Sequence, residues 1–190
     1  MFSFFAYLSR MRYITRWNLM RNTFPEDIAQ HSQQVAMLAH GLAVIRKTVF
    51  HVDCDPQRAA LLGLYHEAGE TITGDLPTPV KYFNPEIRKA YAKVEAVAEK
   101  KLLEMLPEEM RQEFVPLLHP EDEELWPLVK AADKLSAYLK CVEEIKAGNL
   151  EFEKAMVSTR RELEKCDLPE VAYFLEQFAP AFSLTLDELN

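Results

Sequence analysis

The sequence is short of the residues that turns, sheets and disulfide scaffolds use most. Only 5 of its 190 residues are Gly, and only 3 are Cys. So few glycines, together with few β-branched runs, argue against a fold rich in strands and tight turns. The cysteines Cys54, Cys141 and Cys166 are odd in number and lack Cys-x-x-Cys spacing, so the pattern indicates neither a disulfide framework nor a zinc ribbon. It is typical of a reducing compartment.

The chain also lacks long apolar runs and an excess of basic charge. No run approaches the roughly 18 residues of a membrane span, and the apolar start at residues 1–8 has neither the positive flank nor the cleavage site of a signal peptide. The 22 Lys and Arg are outnumbered by 30 Asp and Glu, which gives a net charge of -8. This charge opposes binding to a nucleic acid polymer. We therefore expect a cytoplasmic protein that binds neither a membrane nor a nucleic acid polymer.

What the chain does contain is apolar periodicity of about 3.6 residues over long stretches. With 48% hydrophobic residues, this predicts an all-α fold, a single helical bundle over residues 1–190. Asp55-Pro56 and Asn84-Pro85 are typical helix starts, and Thr23 with Glu26 has capping-box spacing. The pattern predicts helices over residues 3–16, 28–49, 56–70, 85–105, 107–118, 122–147, 150–165 and 169–179.

Three of these helices place polar side chains on their buried stripes. His31 heads the stripe that Val35 continues, and His66 and Asp133 take similar positions on two further helices. Burying an imidazole or carboxylate without a partner costs several kcal/mol, so these groups should meet a common partner. The economical partner is one divalent metal ion, with His31, His66, Glu67 and Asp133 as ligands. Mixed imidazole and carboxylate ligation suits Co, Mn, Zn, Ni or Cu better than Ca.

Basic residues are concentrated at the start of the chain. Four arginines precede the first acidic residue, Glu26: they are Arg10, Arg12, Arg16 and Arg21. An anion could bind this positive segment, although Arg10 and Arg12 could equally lie on a solvated helix face. Arg16, beside Trp17, is the strongest candidate, because its planar guanidinium can bind a phosphoryl group through two parallel hydrogen bonds.

The segment between the predicted helices 56–70 and 85–105 is rich in polar and turn-forming residues. Gly74 and Asp75 suit a turn, and Thr78 and Lys81 could contact an oxygen-rich ligand. Connections in helical bundles usually have about 2 to 8 residues. A plain connection of this length remains possible, but its composition favours a ligand-binding loop.

These residues carry a family resemblance that covers nearly the whole chain. The order His31, His66-Glu67 and Asp133 on successive helices resembles the HD-domain metal-dependent phosphohydrolases. Arg16-Trp17, the run Gly-Asp-Leu-Pro-Thr-Pro-Val-Lys-Tyr-Phe at residues 74–83, and Ala-Asp-Lys-Leu at residues 132–135 look more narrowly like the bacterial 5'-deoxynucleotidases of that superfamily. The family usually has Asp after the second His, whereas this chain has Glu67, which keeps the charge but adds a methylene.

The resemblance implies hydrolysis of deoxyribonucleoside 5'-monophosphates by a homodimer. In that activity Arg16 would orient the phosphoryl group, Trp17 would close against the sugar where a ribose 2'-hydroxyl would project, and Asp75 would accept a hydrogen bond from the 3'-hydroxyl. Glu70, predicted one helical turn beyond His66, is the candidate for proton transfer. The other expected substrate contacts are His31, Leu76, Pro77, Thr78, Lys81 and Asp133.

Other functions remain open from the sequence. The run His66-Glu-Ala-Gly-Glu70 comes close to the His-Glu-x-x-His helix of zinc peptidases, but it lacks the second His and leaves His31 and Asp133 unexplained. A cyclic-nucleotide phosphodiesterase, a deoxynucleoside triphosphate hydrolase and a non-catalytic helical protein that binds a metal or a nucleotide are the remaining alternatives.

Overall fold

The computed structural model describes residues 1–81, 83–120 and 124–189, and the elements within these ranges are helical. The predicted all-α class is confirmed. None of the described helices is long and apolar enough to cross a membrane. The α-helices are α1 (Phe4–Leu8), α2 (Ile28–Thr48), α3 (Pro56–Tyr65), α4 (Glu70–Thr73), α5 (Thr78–Lys81), α6 (Pro85–Glu104), α7 (Glu108–Leu118), α8 (Trp126–Lys146), α9 (Glu153–Glu164) and α10 (Pro169–Gln177). Short 3₁₀ segments cover Ser9–Tyr13, Leu150–Phe152, Ala179–Ser183 and Leu186–Leu189.

Local capping sequences determine where the main helices begin. Asp55 and Asn84 cap α3 and α6 as predicted, each followed by a proline in the first turn. The capping box of α2 lies four residues after the predicted one: the Asp27 carboxylate accepts from the N–H of Gln30 at 2.9 Å, and the Gln30 side chain accepts from the N–H of Asp27 at 3.2 Å. The predicted Thr23 box is therefore wrong, because Asp27 supplies the stronger cap.

The centre of the molecule is formed by α2, α3 and α8, whose buried leucine and valine side chains make one continuous core. Gly63 lets α2 and α3 approach closely, because a Cβ at this position would lie 2.9 Å from Ala36 Cα. The close approach brings His31 and His66 together, with ring centroids 5.2 Å apart. The packing of three helices thus places the predicted metal ligands at one end of the core.

Two predicted helices end early. The helix predicted over residues 3–16 ends before Ile14, where the backbone becomes extended and forms an antiparallel bridge between Thr15 and Asp27. The predicted helix 56–70 ends at Tyr65, and a tight turn over residues 66–69 precedes α4, so Glu70 does not continue the face of α3. Glu70 N–H instead donates to Glu67 O at 3.0 Å. The predicted start of helix 122–147 lies outside the described residues.

Candidate active site

Four side chains predicted as metal ligands converge in the folded chain. One ligand atom from each of His31, His66, Glu67 and Asp133 lies within 4.8 Å of the other three. His31 comes from α2 and Asp133 from α8, while the turn after α3 supplies His66 and Glu67. Both imidazole side chains are fully buried. The cluster has the size and composition of a metal site with two imidazole and two carboxylate ligands.

Hydrogen bonds orient both imidazoles toward this cluster. His66 Nδ1 donates to the carbonyl of Gly63 at 2.7 Å. His31 Nδ1 donates to Ser136 Oγ at 3.1 Å, and the Ser136 hydroxyl donates to Gln34 Oε1 at 2.5 Å. Because a carbonyl can only accept, His66 carries its proton on Nδ1 and presents an unprotonated Nε2, and the Nε2 atom of His31 also faces the cluster. Both Nε2 atoms are buried without a hydrogen-bond partner, which fits a bound cation.

The carboxylates oppose the imidazoles at short range. Asp133 Oδ1 lies 3.1 Å from His31 Nε2, and Glu67 Oε1 lies 3.4 Å from His66 Nε2. Burial lowers the pKa of His66 to about 4 despite these two carboxylates, so the ring is neutral at pH 7. Burial opposes ionisation of Asp133, but the facing histidines and Arg16 outweigh it and lower the pKa of this carboxyl. Burial disfavours the charged form of His31, but Asp133 and Glu26 outweigh it and raise the pKa of this imidazole. Metal binds neutral imidazoles and ionised carboxylates, so a bound cation would displace a proton from His31.

Glu70 lies beside Glu67 at the edge of the cluster. Burial, a hydrogen bond to Glu67 and the charge of that carboxylate raise the pKa of Glu70 well above the range usual for Glu. Its Oε2 atom is buried and makes no hydrogen bond. Glu70 thus lies near the predicted metal ligands, as expected, but through the tight turn at residues 66–69 and not through a continued helix.

Arg16 and Trp17 lie next to the same cluster. The extended backbone after Tyr13 places Arg16 against the start of α2, where Arg16 N–H donates to Glu26 O at 2.9 Å. Arg16 is largely buried, and the charges of Asp133 and Glu67 contribute to raising its pKa against the effect of burial. Trp17 adopts a positive φ of 56°, a strained conformation for a bulky residue that costs on the order of 1–3 kcal/mol.

The loop that follows α4 divides into a part near the cluster and a part held by α6. Asp75 is half-buried; burial raises its pKa, while Arg16 opposes that shift, which places the two side chains within electrostatic range. Leu76 and Pro77 are also half-buried, whereas Thr78 is exposed at the start of α5. Lys81 Nζ donates to Glu95 at 2.7 Å, so its ammonium is tied to α6.

The other predicted features of this region lie elsewhere. Arg10 and Arg12 are exposed and lie near the Tyr13 ring, and Arg21 is exposed and pairs with Glu151. Of the four arginines in the predicted positive segment, only Arg16 thus lies near the cluster. Tyr82, part of the run at residues 74–83, lies outside the described residues.

Several residues of the site were missed by the sequence analysis. Ser136 and Gln34 follow Asp133 and His31 by three residues, so their helical spacing put them on the metal-facing sides and could have identified them. Glu26 was interpreted only as part of a capping box. Its contacts arise from the Thr15–Asp27 bridge, a pairing outside helical periodicity.

Comparison with known proteins gives matches over nearly the full chain. The family model of YfbR-like 5'-deoxynucleotidases matches residues 3–182. A 5'-deoxynucleotidase of Vibrio parahaemolyticus and one of Vibrio cholerae are each 52% identical over 189 residues, which cover 98% of this chain and 97% of theirs. An HD-domain phosphohydrolase structure from Listeria innocua superposes with a TM-score of 0.82 at 21% identity, over 95% of this chain and 88% of that one.

Proposed function

The chain belongs to the family of YfbR-like 5'-deoxynucleotidases, and from this membership we propose that it hydrolyses deoxyribonucleoside 5'-monophosphates to deoxynucleoside and phosphate. One observation of the site carries the proposal. Two buried imidazole nitrogens without partners face two carboxylates, beside a buried arginine and a half-buried aspartate. The first group of residues suits a metal ion, and the second suits a phosphorylated sugar.

The residues present fit one divalent transition metal ion, which His31, His66, Glu67 and Asp133 would hold. Its identity among Co, Mn, Zn, Ni and Cu is a matter for metal analysis. When bound, such an ion polarises a phosphoryl oxygen and makes hydroxide available near neutral pH. Glu70, whose pKa is raised by burial and by the neighbouring Glu67, would supply a proton to the departing sugar oxygen.

The remaining side chains bind and orient the nucleotide. Arg16 takes the 5'-phosphate, Trp17 closes on the C2' side of the sugar, and Asp75 accepts a hydrogen bond from the 3'-hydroxyl. An apolar pocket by itself discriminates against an added hydroxyl by only about 10²-fold. Strict selection of deoxyribose therefore needs both steric closure by Trp17 and the hydrogen bond to Asp75. Leu76, Pro77 and Thr78 would complete the surface that closes on the sugar, and His31, Lys81 and Asp133 would make further substrate contacts.

Sugar selection is the sharpest test of this function. We expect the parent protein with metal to have a much higher kcat/KM for dAMP than for AMP. Trp17→Ala should narrow that difference, whereas Asp75→Ala should lower kcat/KM for dAMP itself. Both variants should keep their metal content. A parent that hydrolyses the two nucleotides equally, or that prefers cyclic or triphosphate substrates in the same assay panel, would contradict the assignment.

The assembly and location that we propose are a homodimer in the cytoplasm. Exposed apolar side chains at the C-terminal end, including Phe178, Leu186 and Leu189, support association. The three cysteines are free in the structure, as a reducing compartment requires. Light scattering coupled to size-exclusion chromatography should give the mass of two chains, and a mass of 22.0 kDa would exclude the dimer.

A further inference from the structure

Glu26 lies where the substrate-binding segment meets the metal cluster. Its Oε2 atom accepts a hydrogen bond from Trp17 Nε1 at 2.9 Å and lies 3.5 Å from Arg16 Nε. Its Oε1 atom lies 3.6 Å from His31 Nδ1. The Glu26 carboxylate thus lies beside three residues of the proposed site. They are Arg16, which would bind the phosphate, Trp17, which would close on the sugar, and His31, a proposed metal ligand.

The surroundings of Glu26 make this carboxylate a fixed point. The Glu26 and Arg16 side chains are each only 13% exposed. The Oε2 atom of Glu26 faces both the Trp17 indole N–H and the Arg16 guanidinium, so two neighbours hold the carboxylate in place. The backbone holds the same pair together, because Glu26 O accepts from Arg16 N–H at 2.9 Å.

We propose that Glu26 is a positioning residue that holds the Trp17 indole and the Arg16 guanidinium at a defined place relative to His31, and thereby sets the preference for deoxyribose. This inference rests on the proposed function, in which Trp17 and Arg16 contact the nucleotide. Glu26 itself does not need to contact substrate.

The geometry explains why Trp17 needs such a partner. Its backbone has a φ of 56°, which a bulky residue adopts only when its surroundings enforce it. The indole lies against the Phe152 ring, with centroids 5.3 Å apart and planes tilted by 56°, and its Nε1 atom donates to Glu26. Without the carboxylate, the ring keeps its apolar contact but loses the bond that fixes its direction, so space for a 2'-hydroxyl can open.

Two substitutions at Glu26 separate its roles. Glu26→Ala removes the acceptor, so we expect the ratio of kcat/KM for dAMP to that for AMP to fall about 10-fold to 100-fold, as for loss of a hydrogen bond to a charged group. Glu26→Gln keeps a carbonyl acceptor for Trp17 but loses the charge that faces Arg16. It should therefore retain a near-parental ratio while raising KM for both nucleotides.

A matched carboxylate and a double variant complete the kinetic experiment. Glu151 pairs with the exposed Arg21 on the neighbouring surface, so Glu151→Ala should leave both the ratio and KM unchanged. In Trp17→Phe, which lacks the indole N–H, adding Glu26→Ala should lower the ratio no further, because the two residues act through one bond. Additive losses in the double variant would overturn the proposed link.

A fluorescence measurement tests the same link without substrate. The chain has two tryptophans, so Trp126→Phe leaves Trp17 as the reporter. In that background Glu26→Ala should shift the Trp17 emission to longer wavelength and increase quenching by acrylamide, and Glu26→Gln should do neither. Emission unchanged in Glu26→Ala would overturn the proposal. A parent without sugar preference would instead count against the proposed function, while the emission would still decide the role of Glu26.

Discussion

Two neighbouring carboxyl groups at one buried turn, Glu67 and Glu70, have pKa values shifted in opposite directions. Burial raises the pKa of both, but a hydrogen bond from Glu70 and the charge of Arg16 help to outweigh it at Glu67, whose pKa falls to about 2. Glu70 takes the proton because it lies against an ionised neighbour. Under the proposed function, Glu67 would act as the anionic metal ligand and Glu70 as the proton donor.

This division predicts the effect of removing Glu70. Glu70→Ala should retain the metal but lower kcat by about 10² to 10⁴, the usual contribution of proton transfer. Glu70→Gln, which keeps the shape but has no acidic proton, should lose as much. Turnover and metal content are measured on the same preparations. Parallel loss of metal and activity would make Glu70 a ligand instead.

At the scale of helices, the contact between α2 and α3 depends on Gly63. We expect Gly63→Ala to destabilise the protein by about 1–3 kcal/mol, because the added methyl group meets the Ala36 backbone and must push the helices apart. Metal affinity should fall too, since the Gly63 carbonyl orients His66. Chemical denaturation and metal titration measure the two effects.

A second glycine provides the control for this prediction. Gly41 lies in α2, and a Cβ there would have nothing within 4 Å. Gly41→Ala should therefore leave metal binding unchanged and stabilise the protein by about 0.5–1 kcal/mol through helix propensity. Equal destabilisation by the two substitutions would show that steric contact at Gly63 is not the cause.

The elements also show what the sequence could predict and what it could not. The inward positions of His31 and Asp133 followed from helical periodicity, which is local and survives folding unchanged. The turn at residues 66–69 was not predicted because hydrogen bonds between residues three apart interrupt the helix there, such as Ala68 N–H to Tyr65 O at 2.9 Å. The spacing of apolar residues does not reveal such bonds. The position of Arg16 depends on a bridge to residues more than ten positions away, which no local pattern encodes.

Helix α8 holds the N-terminal segment through a buried ion pair. The carboxylate of Glu144, which is fully buried, accepts hydrogen bonds from the N–H groups of Thr23 and Phe24, at 2.9 and 3.1 Å, and from Asn149 at 2.8 Å. Lys140 donates to the same carboxylate and to the carbonyl of Phe24. Both charged groups of the pair thus have hydrogen-bond partners, which a buried ion pair needs in order to be stable.

This pair predicts how stability depends on pH. Burial opposes ionisation, but the bonds from Lys140, Asn149 and the backbone lower the pKa of Glu144 to about 2. A depressed carboxyl pKa stabilises the fold above the ordinary value of about 4.5, and that contribution is lost as pH falls toward 2. Glu144→Gln should cost about 3–5 kcal/mol at pH 7, and the difference from the parent should shrink over this interval.

The exposed neighbour Glu143 provides the comparison. Glu143→Gln should change the free energy of unfolding by less than about 0.5 kcal/mol at pH 7, as for most surface substitutions. Denaturation curves from pH 2 to pH 7 measure all three proteins. If the loss of unfolding free energy in Glu144→Gln stays constant down to pH 2, ionisation of Glu144 is not its cause.

At the scale of the whole molecule, the candidate metal site joins α2, the turn after α3 and α8. A ligand of the native state stabilises it by about 2.7 kcal/mol at 100 times its Kd and about 4.1 kcal/mol at 1,000 times. We expect Zn, Co, Mn, Ni or Cu, added after chelation, to raise Tm by about 5–16 °C for a chain of this size. Differential scanning fluorimetry ranks the five metals by this shift.

Aspartate substitutions make the thermal experiment specific to the cluster. Asp133→Ala should remove most of the metal-dependent rise in Tm, because it deletes one ligand. Asp53→Ala, at an exposed carboxylate that pairs with Lys47, should keep the full rise. An undiminished rise in Asp133→Ala would place the stabilising metal elsewhere.

The bonds from Glu144 to the N-terminal segment have a consequence for synthesis of the chain. Thr23 leaves the ribosome first, and its partner follows 121 residues later, which takes about 6 to 24 s at typical elongation rates. During that interval α8, which holds the segment with Arg16 and Trp17 in place, has not yet been fully synthesised. Nascent chains that end before residue 140 should therefore be cut by protease near this segment, whereas released full-length chains should be protected there.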